Sequence, residues 1–499
     1  MTSNKNSINI SFLNLAAQSP SLELNFAMSE KIHIDSNRDK HIFFMCDKAL
    51  KSCSVNILNK QSICRICTAK AKKGFKIFKK RNRNSELIKL TRGDLVKNSQ
   101  KPIENKEIKD ELMLGVHSTI GSQLRLDDMK LLDDRWKLIK EKMYESSKGL
   151  FNYFDTFLQD NNVSNFIIFN GRLSCARPLI SVSKKHNTTF NLFDASVNGK
   201  VPMYAANEMF HSISFEKKNA LRTYVNYFNE SEILAAKYMN HKRNGIAVSD
   251  HAYTKDQKKG HIDVEILELS KPLISIFVSS DDEFRFIGSD WADFKFVDQI
   301  ETIKKLINSN LSDKYDFVVK MHPNQKNMHE SIQKRYEELS NSVNVLFPDN
   351  KTDTYELILH SELILNFCST VGAEANYLRK PVVQIGPSRF RLLPCANYVD
   401  NVYDAIKMIK QKKYKLMPKR ASVVYFCYHA MTPFKLDSYK FIDNGVYTYG
   451  DERIQTNFIV RLLAVPDKLI YHIIKGNKEI FSNFFLYARN LLFGTTKVK

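Results

Sequence analysis

The sequence predicts an α/β protein of two Rossmann-like domains with parallel sheets. Short apolar strands ending in polar turns, and helices between them, carry that expectation in both halves of the chain. Between Asp316 and Pro387 the pattern is plainest. Phe317-Val318-Val319 reads as a strand that Pro323 stops just after His322. Leu363-Ile364-Leu365 is a second strand, followed by a helical run from Ser369 and Thr370 to Leu378, and Lys380 to Gly386 supplies a third. Strand, helix and strand form one crossover unit, and in such sheets ligands sit outside the carboxyl ends of the strands. Both polar turns fall at that edge.

Anion binding is the chemistry these turns suit. A helix N-terminus offers free N–H groups, and the Ser369 and Thr370 hydroxyls add donors. Gly372 would let a ligand approach the backbone, Glu374 could reach a ribose hydroxyl, and His322 could donate to a phosphate oxygen. Taken singly, Ser369 and Thr370 cap a helix, Pro323 ends a strand and Glu374 completes a capping box. In order, on adjacent strand-to-helix turns, they indicate a site.

The run Ile276 to Phe284, then Lys320-Met321-His322-Pro323-Asn324, then Ser369-Thr370-Val371-Gly372-Ala373-Glu374-Ala375, resembles the capsule polysaccharide biosynthesis proteins, bacterial glycosyltransferases of the GT-B type. The His-Pro and Ser-Thr pairs are also similar to motifs of bacterial sialyltransferases and Kdo transferases, which use CMP-activated sugars. The resemblance spans about residues 165 to 400 and includes Phe169-Asn170-Gly171-Arg172. It implies a GT-B-like fold, its two sheets facing a central cleft. The C-terminal domain would hold a nucleotide-sugar through His322, Asn324, Ser369, Thr370 and Gly372, with Glu374 on the nucleoside. The N-terminal domain would present an acceptor glycan or glycolipid. The implied activity moves a sugar from a nucleotide-sugar, CMP-linked in those relatives, to a growing capsular or lipopolysaccharide-type glycan, with no cofactor needed for catalysis. Two alternatives stay open: a nucleotide-sugar epimerase on the same fold, and a non-enzymatic basic protein that binds nucleic acid or a membrane.

With 499 residues the chain has room for two or three domains, and 43% hydrophobic residues make it globular rather than disordered. Its net charge of +21 favours acidic partners: nucleotide-sugars, nucleic acid or an anionic membrane. No run of about 18 apolar residues suggests a spanning helix. Eight cysteines without a secretory signal point to a reducing cytoplasm.

In chain order, residues 1–38 read as a poorly ordered leader and His41 to Met45 as the first strand. Cys46, Cys53, Cys64 and Cys67 either hold a structural zinc or pack as buried free thiols. Lys70 to Arg92 is rich in base: a solvated face, or a contact with an anionic membrane or charged glycan. Nucleic acid ranks low there, because no tandem finger spacing or aromatic RNA-binding motif accompanies the bases. Apolar spacing predicts a core-facing helix over Leu131 to Leu158, then strands at Phe166 to Phe169 and Phe190 to Phe193. Asn170, Arg172 and Arg177 follow the first of these strands as acceptor contacts, and Asp194 ends the second as a candidate general base.

Tyr204 to Asn244 reads as surface helix and His251 to His261 as a linker. The second domain opens at Lys271-Pro272 with a strand over Leu273 to Val278. Ser279 and Ser280 suit close approach of donor or acceptor, while Asp281 or Glu283 could take the acceptor proton; an acidic N-cap is the plainer role. Asp353, Thr354 or Tyr355 would face the nucleotide, and Arg389 and Arg391 could neutralise a diphosphate or lie exposed on the surface. Beyond Val402 the chain reads as helical, closing in an amphipathic segment that packs back on the first domain or docks on a membrane. The domain boundaries expected are therefore 39–262, with a Cys-rich basic insertion at 46–92, then 271–465, then a terminal helix at 466–499.

Overall fold

A computed structural model describes residues 7–36, 39–196, 202–247, 252–431, 434–443, 446–467 and 470. The chain forms two compact units, each around one sheet. Unit one comprises residues 1–124, 128–209 and 434–499; unit two comprises 125–127 and 210–433.

Unit one holds a six-stranded sheet: β1 (Ile8–Leu13), β2 (Lys40–Cys46), β3 (Ser85–Leu90), β4 (Val163–Phe169), β5 (Thr189–Ala195) and β6 (Pro202–Ala206). Their order is β3-β2-β1-β4-β5-β6, all parallel except β6, which runs antiparallel to β5. Unit two repeats the order in a wholly parallel sheet: β7 (Leu273–Phe277), β8 (Asp316–Lys320), β9 (Asn344–Leu346), β10 (Leu363–Asn366), β11 (Val382–Ile385) and β12 (Asn397–Val399), arranged β12-β11-β10-β7-β8-β9. This is the doubly wound Rossmann order twice over, the pair of sheets expected of a GT-B-like chain.

Four expectations need correcting. The supposed leader holds β1, which pairs with both β2 and β4 at the centre of the first sheet, and the helix Ser21–Asp35. Within it Asn9 and Ser11 are buried and hydrogen-bonded: Asn9 Nδ2 donates to Ser36 Oγ at 2.7 Å, and Ser11 Oγ contacts His41 Nε2 at 3.0 Å. Residues 46–92 are no insertion, because the helix Gln61–Arg81 crosses from β2 to β3 of the same sheet. The second unit begins at Phe210 rather than Lys271, taking in the helices Ile213–Asn226 and Ser231–Arg243. Beyond Val402 the chain is not helical throughout. An antiparallel hairpin, β13 (Tyr439–Asp443) and β14 (Val446–Tyr449), belongs to unit one, where Tyr449 stacks on Phe78. Residues 471–499, which contain most of the expected terminal helix, lie outside the described residues.

The unit-one core packs Phe26, Phe43, Phe78 and Tyr449 between sheet, helices and hairpin. Gly74 lets the helix Gln61–Arg81 lie directly on this cluster. A Cβ there would collide with the Phe26 ring, 2.9 Å from Cδ2, and sit 3.0 Å from Ile454. Gly74→Ala is therefore expected to lower stability by about 1–2 kcal/mol in urea unfolding, the overpacking outweighing alanine's helical gain of about 1 kcal/mol.

Candidate functional site

In the second sheet β7 and β10 are neighbours, and the chain winds away from them in opposite directions. Their carboxyl ends flank the topological switch point, where doubly wound sheets bind ligands. A recess that opens to solvent lies there. Phe277 and Val278 line it from β7, Lys320 to Pro323 from β8, and Ser369, Thr370, Val371 and Glu374 from the segment after β10. Thr354, Tyr355, Lys242, Tyr253, Thr254 and Gln257 complete the wall.

His322 lies two residues past the end of β8 in the extended conformation that a following proline favours. Its backbone N–H donates to Gln325 Oε1 at 2.7 Å, and its Nδ1 accepts the Asn324 N–H at 3.1 Å. An Nδ1 that accepts leaves the proton of the neutral ring on Nε2. The Tyr253 ring meets the imidazole edge to face, 4.5 Å between centroids. The local fold thus prepares His322 as a hydrogen-bond donor.

The turn after β10 is held from beneath. Asn366 Nδ2, fully buried, donates to Ser369 O at 2.7 Å and to Gln384 Oε1 at 2.6 Å. Cys368 takes a left-handed φ of 45°, a strained geometry for a side-chain-bearing residue, and this brings Ser369 and Thr370 to the recess. Ser369 Oγ accepts the Val371 N–H at 3.3 Å. The helix that follows, Val371–Tyr377, has only seven residues, so side chains rather than a long helix dipole supply the polarity here.

Glu374 lines the recess, yet its carboxylate is already engaged. Oε1 accepts from Thr370 Oγ1 at 3.0 Å, Oε2 accepts from Tyr355 OH at 3.0 Å, and Lys242 Nζ lies 3.9 Å away. Rather than a free ribose ligand, Glu374 is the post that joins three walls of the recess. Gly372 stays out of the lining: a Cβ would press on Phe390 Cζ at 2.8 Å and Asn366 Nδ2 at 2.9 Å, so packing requires the glycine.

Two cations in the recess escaped the sequence reading. Lys320 is 5% exposed, donates to Thr352 O at 3.0 Å, and is pushed by burial down to about 8 despite Asp263 and Asp353 nearby. Lys242 comes from a helix read as surface. The signal was there in part: Ala235, Tyr238, Met239 and Lys242 share the spacing of a buried face. Tyr253, Thr254 and Gln257 lie in the stretch read as a linker and carry no periodic signal.

Other expected residues fall elsewhere. Asn324, Asp282 and Glu283 gather around Arg125, which donates to Asp282 at 2.9 Å, Glu283 at 3.3 Å and Asn324 O at 2.7 Å. Asp281 is buried, accepts from Ser279 Oγ at 2.8 Å and is raised by that burial to about 6; Ser279 is further tied to Gln299. Ser279, Ser280, Asp281 and Glu283 do not line the recess. Asp353 caps its helix through the Tyr355 N–H at 2.8 Å. Arg389 pairs with Glu216, and Arg391 pairs with Asp400 at 2.8 Å and stacks on Tyr398, so neither is a diphosphate clamp at the recess.

In unit one, Asn170, Arg172 and Asp194 meet at the ends of β4 and β5. Asn170, with φ 62°, donates to Asp194 Oδ2 at 2.6 Å and accepts the Arg172 N–H at 3.2 Å. Arg172 reaches Ser118 at 3.2 Å and Ser122 at 3.0 Å. Burial raises Asp194 above the usual carboxylate range, opposed by the Ala195 N–H, the Asn170 amide and the Arg172 charge. Arg177 is apart, 2% exposed and paired with Glu111 at 2.7 Å. Cys64 accepts from Asn56 and Cys67 from the Ala17 N–H, and burial pushes Cys46 up to about 11 and Cys67 to about 12. Such thiols stay protonated, and among the described residues no group of three or more His, Cys, Asp or Glu is arranged to hold a metal ion.

No protein-family model matches the chain, and no curated protein matches it. Among solved structures it is similar to the KpsC β-Kdo 2,4 transferase of Thermosulfurimonas dismutans, at 14% identity and a TM-score of 0.35 over 54% of this chain and 79% of that one. It is also similar to the UDP-GlcNAc 2-epimerase of Neisseria meningitidis, at 10% identity and 0.23 over 85% and 96%. A third is the wall teichoic acid polymerase TagF, at 11% identity and 0.23 over 84% and 82%. All are distant likenesses.

Proposed function

We propose that unit two binds the phosphates of a nucleotide-sugar in the recess at the β7–β10 switch point, and that the protein transfers the sugar to an acceptor glycan. The observation that carries this reading is the recess itself: Lys242, Lys320, the Nε2–H of His322 and the hydroxyls of Ser369 and Thr370 lie together at that edge. Cations and donors so placed suit a phosphate that gains charge as it leaves. In the step proposed, the bond from the sugar's anomeric carbon to the phosphate oxygen breaks while an acceptor hydroxyl oxygen bonds that carbon. The electron pair goes to the phosphate and the hydroxyl proton to a carboxylate. Lys242, Lys320 and His322 stabilise the departing phosphate in a metal-independent reading. In unit one, Asn170, Arg172 and Asp194 form the polar cluster proposed to hold the acceptor glycan, with Asp194 the candidate carboxylate there.

A thermal-shift panel of CMP-, CDP-, UDP- and GDP-linked ligands on the parent and His322→Ala proteins tests this. One nucleotide class should raise the Tm of the parent and lose that effect in the variant. A panel that stabilises neither protein would remove the reading. A donor consumed to free nucleotide and an altered sugar with no acceptor present would favour an epimerase instead.

Binding should also depend on pH. Lys320 loses its proton near pH 8 in the folded protein, so nucleotide affinity should fall between pH 7 and pH 9. Lys320→Met should bind more weakly at pH 7 and show a flat profile over that range by titration calorimetry. Stability moves the other way. A lysine held below its usual 10.5 binds fewer protons folded than unfolded, so its contribution rises from pH 8 toward 10.5.

A further inference from the structure

The charge of unit one is strongly uneven. Residues 48–85 hold twelve Lys and Arg and no Asp or Glu, more than half of the chain's net +21. The helix Gln61–Arg81 sorts these bases by face. Ile63, Ile66, Ala71, Gly74, Ile77 and Phe78 are buried against the sheet. Arg65, Lys72, Lys73, Lys76, Lys79 and Lys80 are exposed on the opposite side, over about 22 Å of helix axis. Beside this helix packs the short helix Phe458–Leu462; just beyond it Asp467 accepts from Ser62 Oγ at 2.5 Å and lies 3.6 Å from Lys60 Nζ. Its outward residues are apolar: Ile459 is 64% exposed and Leu463 55%, with Phe458 and Leu462 also exposed. Four such side chains at spacings of one and four residues make one apolar face.

We infer that these two helices dock unit one on an anionic lipid bilayer. Bases concentrated on one face attract acidic headgroups, and adjacent exposed Phe, Ile and Leu side chains gain by entering the acyl boundary. The apolar neighbour is what favours lipid over a nucleic acid or a polyanionic glycan, since neither offers it an apolar environment. The surface is independent of the recess in unit two. Among the described residues no helix is long and apolar enough to cross a membrane.

Co-sedimentation of the full chain with vesicles tests this. Binding is expected to vesicles containing phosphatidylglycerol, to be absent with phosphatidylcholine alone, and to weaken as NaCl is raised. The quadruple variant Lys72→Gln, Lys73→Gln, Lys76→Gln, Lys79→Gln should bind at least about 100-fold more weakly. The double variant Phe458→Ser, Ile459→Ser should also bind more weakly while keeping its salt dependence. All substituted side chains are exposed, and an unchanged Tm and nucleotide response would show that the fold is intact. A parent that ignores phosphatidylglycerol overturns the proposal. So does a quadruple variant that binds like the parent, which would put the contact elsewhere, residues 471–499 included. A double variant with unchanged vesicle binding would mean that a general polyanion contact, competed by duplex DNA, had been mistaken for a lipid one.

Discussion

Replacing Glu216 with alanine is expected to cost the protein about 3–5 kcal/mol in urea unfolding, the largest single effect anticipated for unit two. Glu216 lies in the helix Ile213–Asn226 and is 3% exposed. Arg389 Nε donates to its Oε1 at 2.9 Å, with a second guanidinium N–H on the same oxygen, and His429 Nε2 lies 3.2 Å from Oε2. Burial alone would raise this carboxyl, but Arg389 and His429 hold it down to about 2. Removing the carboxylate leaves the Arg389 guanidinium partly buried without its partner, which is costlier than never having had the pair. The sign of the pH dependence follows. A carboxyl depressed from 4.5 to about 2 stabilises fully above pH 4.5, and the contribution of about 3 kcal/mol disappears as pH falls toward 2. Glu216→Gln should flatten the stability profile in that acid window. An alanine variant as stable as the parent would mean that the three groups do not form a closed network.

The second large effect concerns binding. The double variant Ser369→Ala, Thr370→Ala should lose all nucleotide stabilisation while remaining folded at 25 °C. Ser369 Oγ accepts the Val371 N–H at 3.3 Å, and Thr370 donates one hydrogen bond to Glu374. Their loss costs about 1–2 kcal/mol of stability, well below the whole. Glu374 keeps the Tyr355 hydroxyl and Lys242, so the walls of the recess stay joined. What disappears is the pair of hydroxyls nearest the end of β10. A variant whose Tm rises with nucleotide as the parent's does would show that these hydroxyls touch no ligand.

How far the sequence revealed this arrangement depended on whether a local pattern marked each residue. The strands of the second sheet were legible because Leu363-Ile364-Leu365 and Val382-Val383 are continuous apolar runs, as fully buried parallel strands require. His322, Ser369 and Thr370 were legible because proline and hydroxyl residues punctuate strand ends. β1 was missed since its polar residues are satisfied only by distant partners, such as Ser11 with His41. The second unit's true start was missed because the helices Ile213–Asn226 and Ser231–Arg243 dock on a sheet that begins about 30 residues beyond them. Lys242 and Tyr253 reach the recess only through that docking: the spacing around Lys242 marks a buried face without saying what it faces, and Tyr253 carries no periodic signal. Asp281 and Glu283 misled in the opposite sense: an acidic run at a strand's carboxyl end looked chemical, and the structure spends it on Ser279 and Arg125. The reading of Gly372 failed for a related reason, because a glycine kept for Phe390 and Asn366 is indistinguishable in sequence from one kept for a ligand.

The β7–β10 edge of unit two is proposed here as the donor site. Its most direct test is a crystal structure of the protein with the nucleotide that stabilises it. Phosphate oxygens are expected within hydrogen-bond distance of His322 Nε2 and of the Ser369 or Thr370 hydroxyl, with Lys242 or Lys320 as a charge partner. A nucleotide seated at the Asn170–Asp194 edge of the first sheet, with the β7–β10 recess empty, would contradict it.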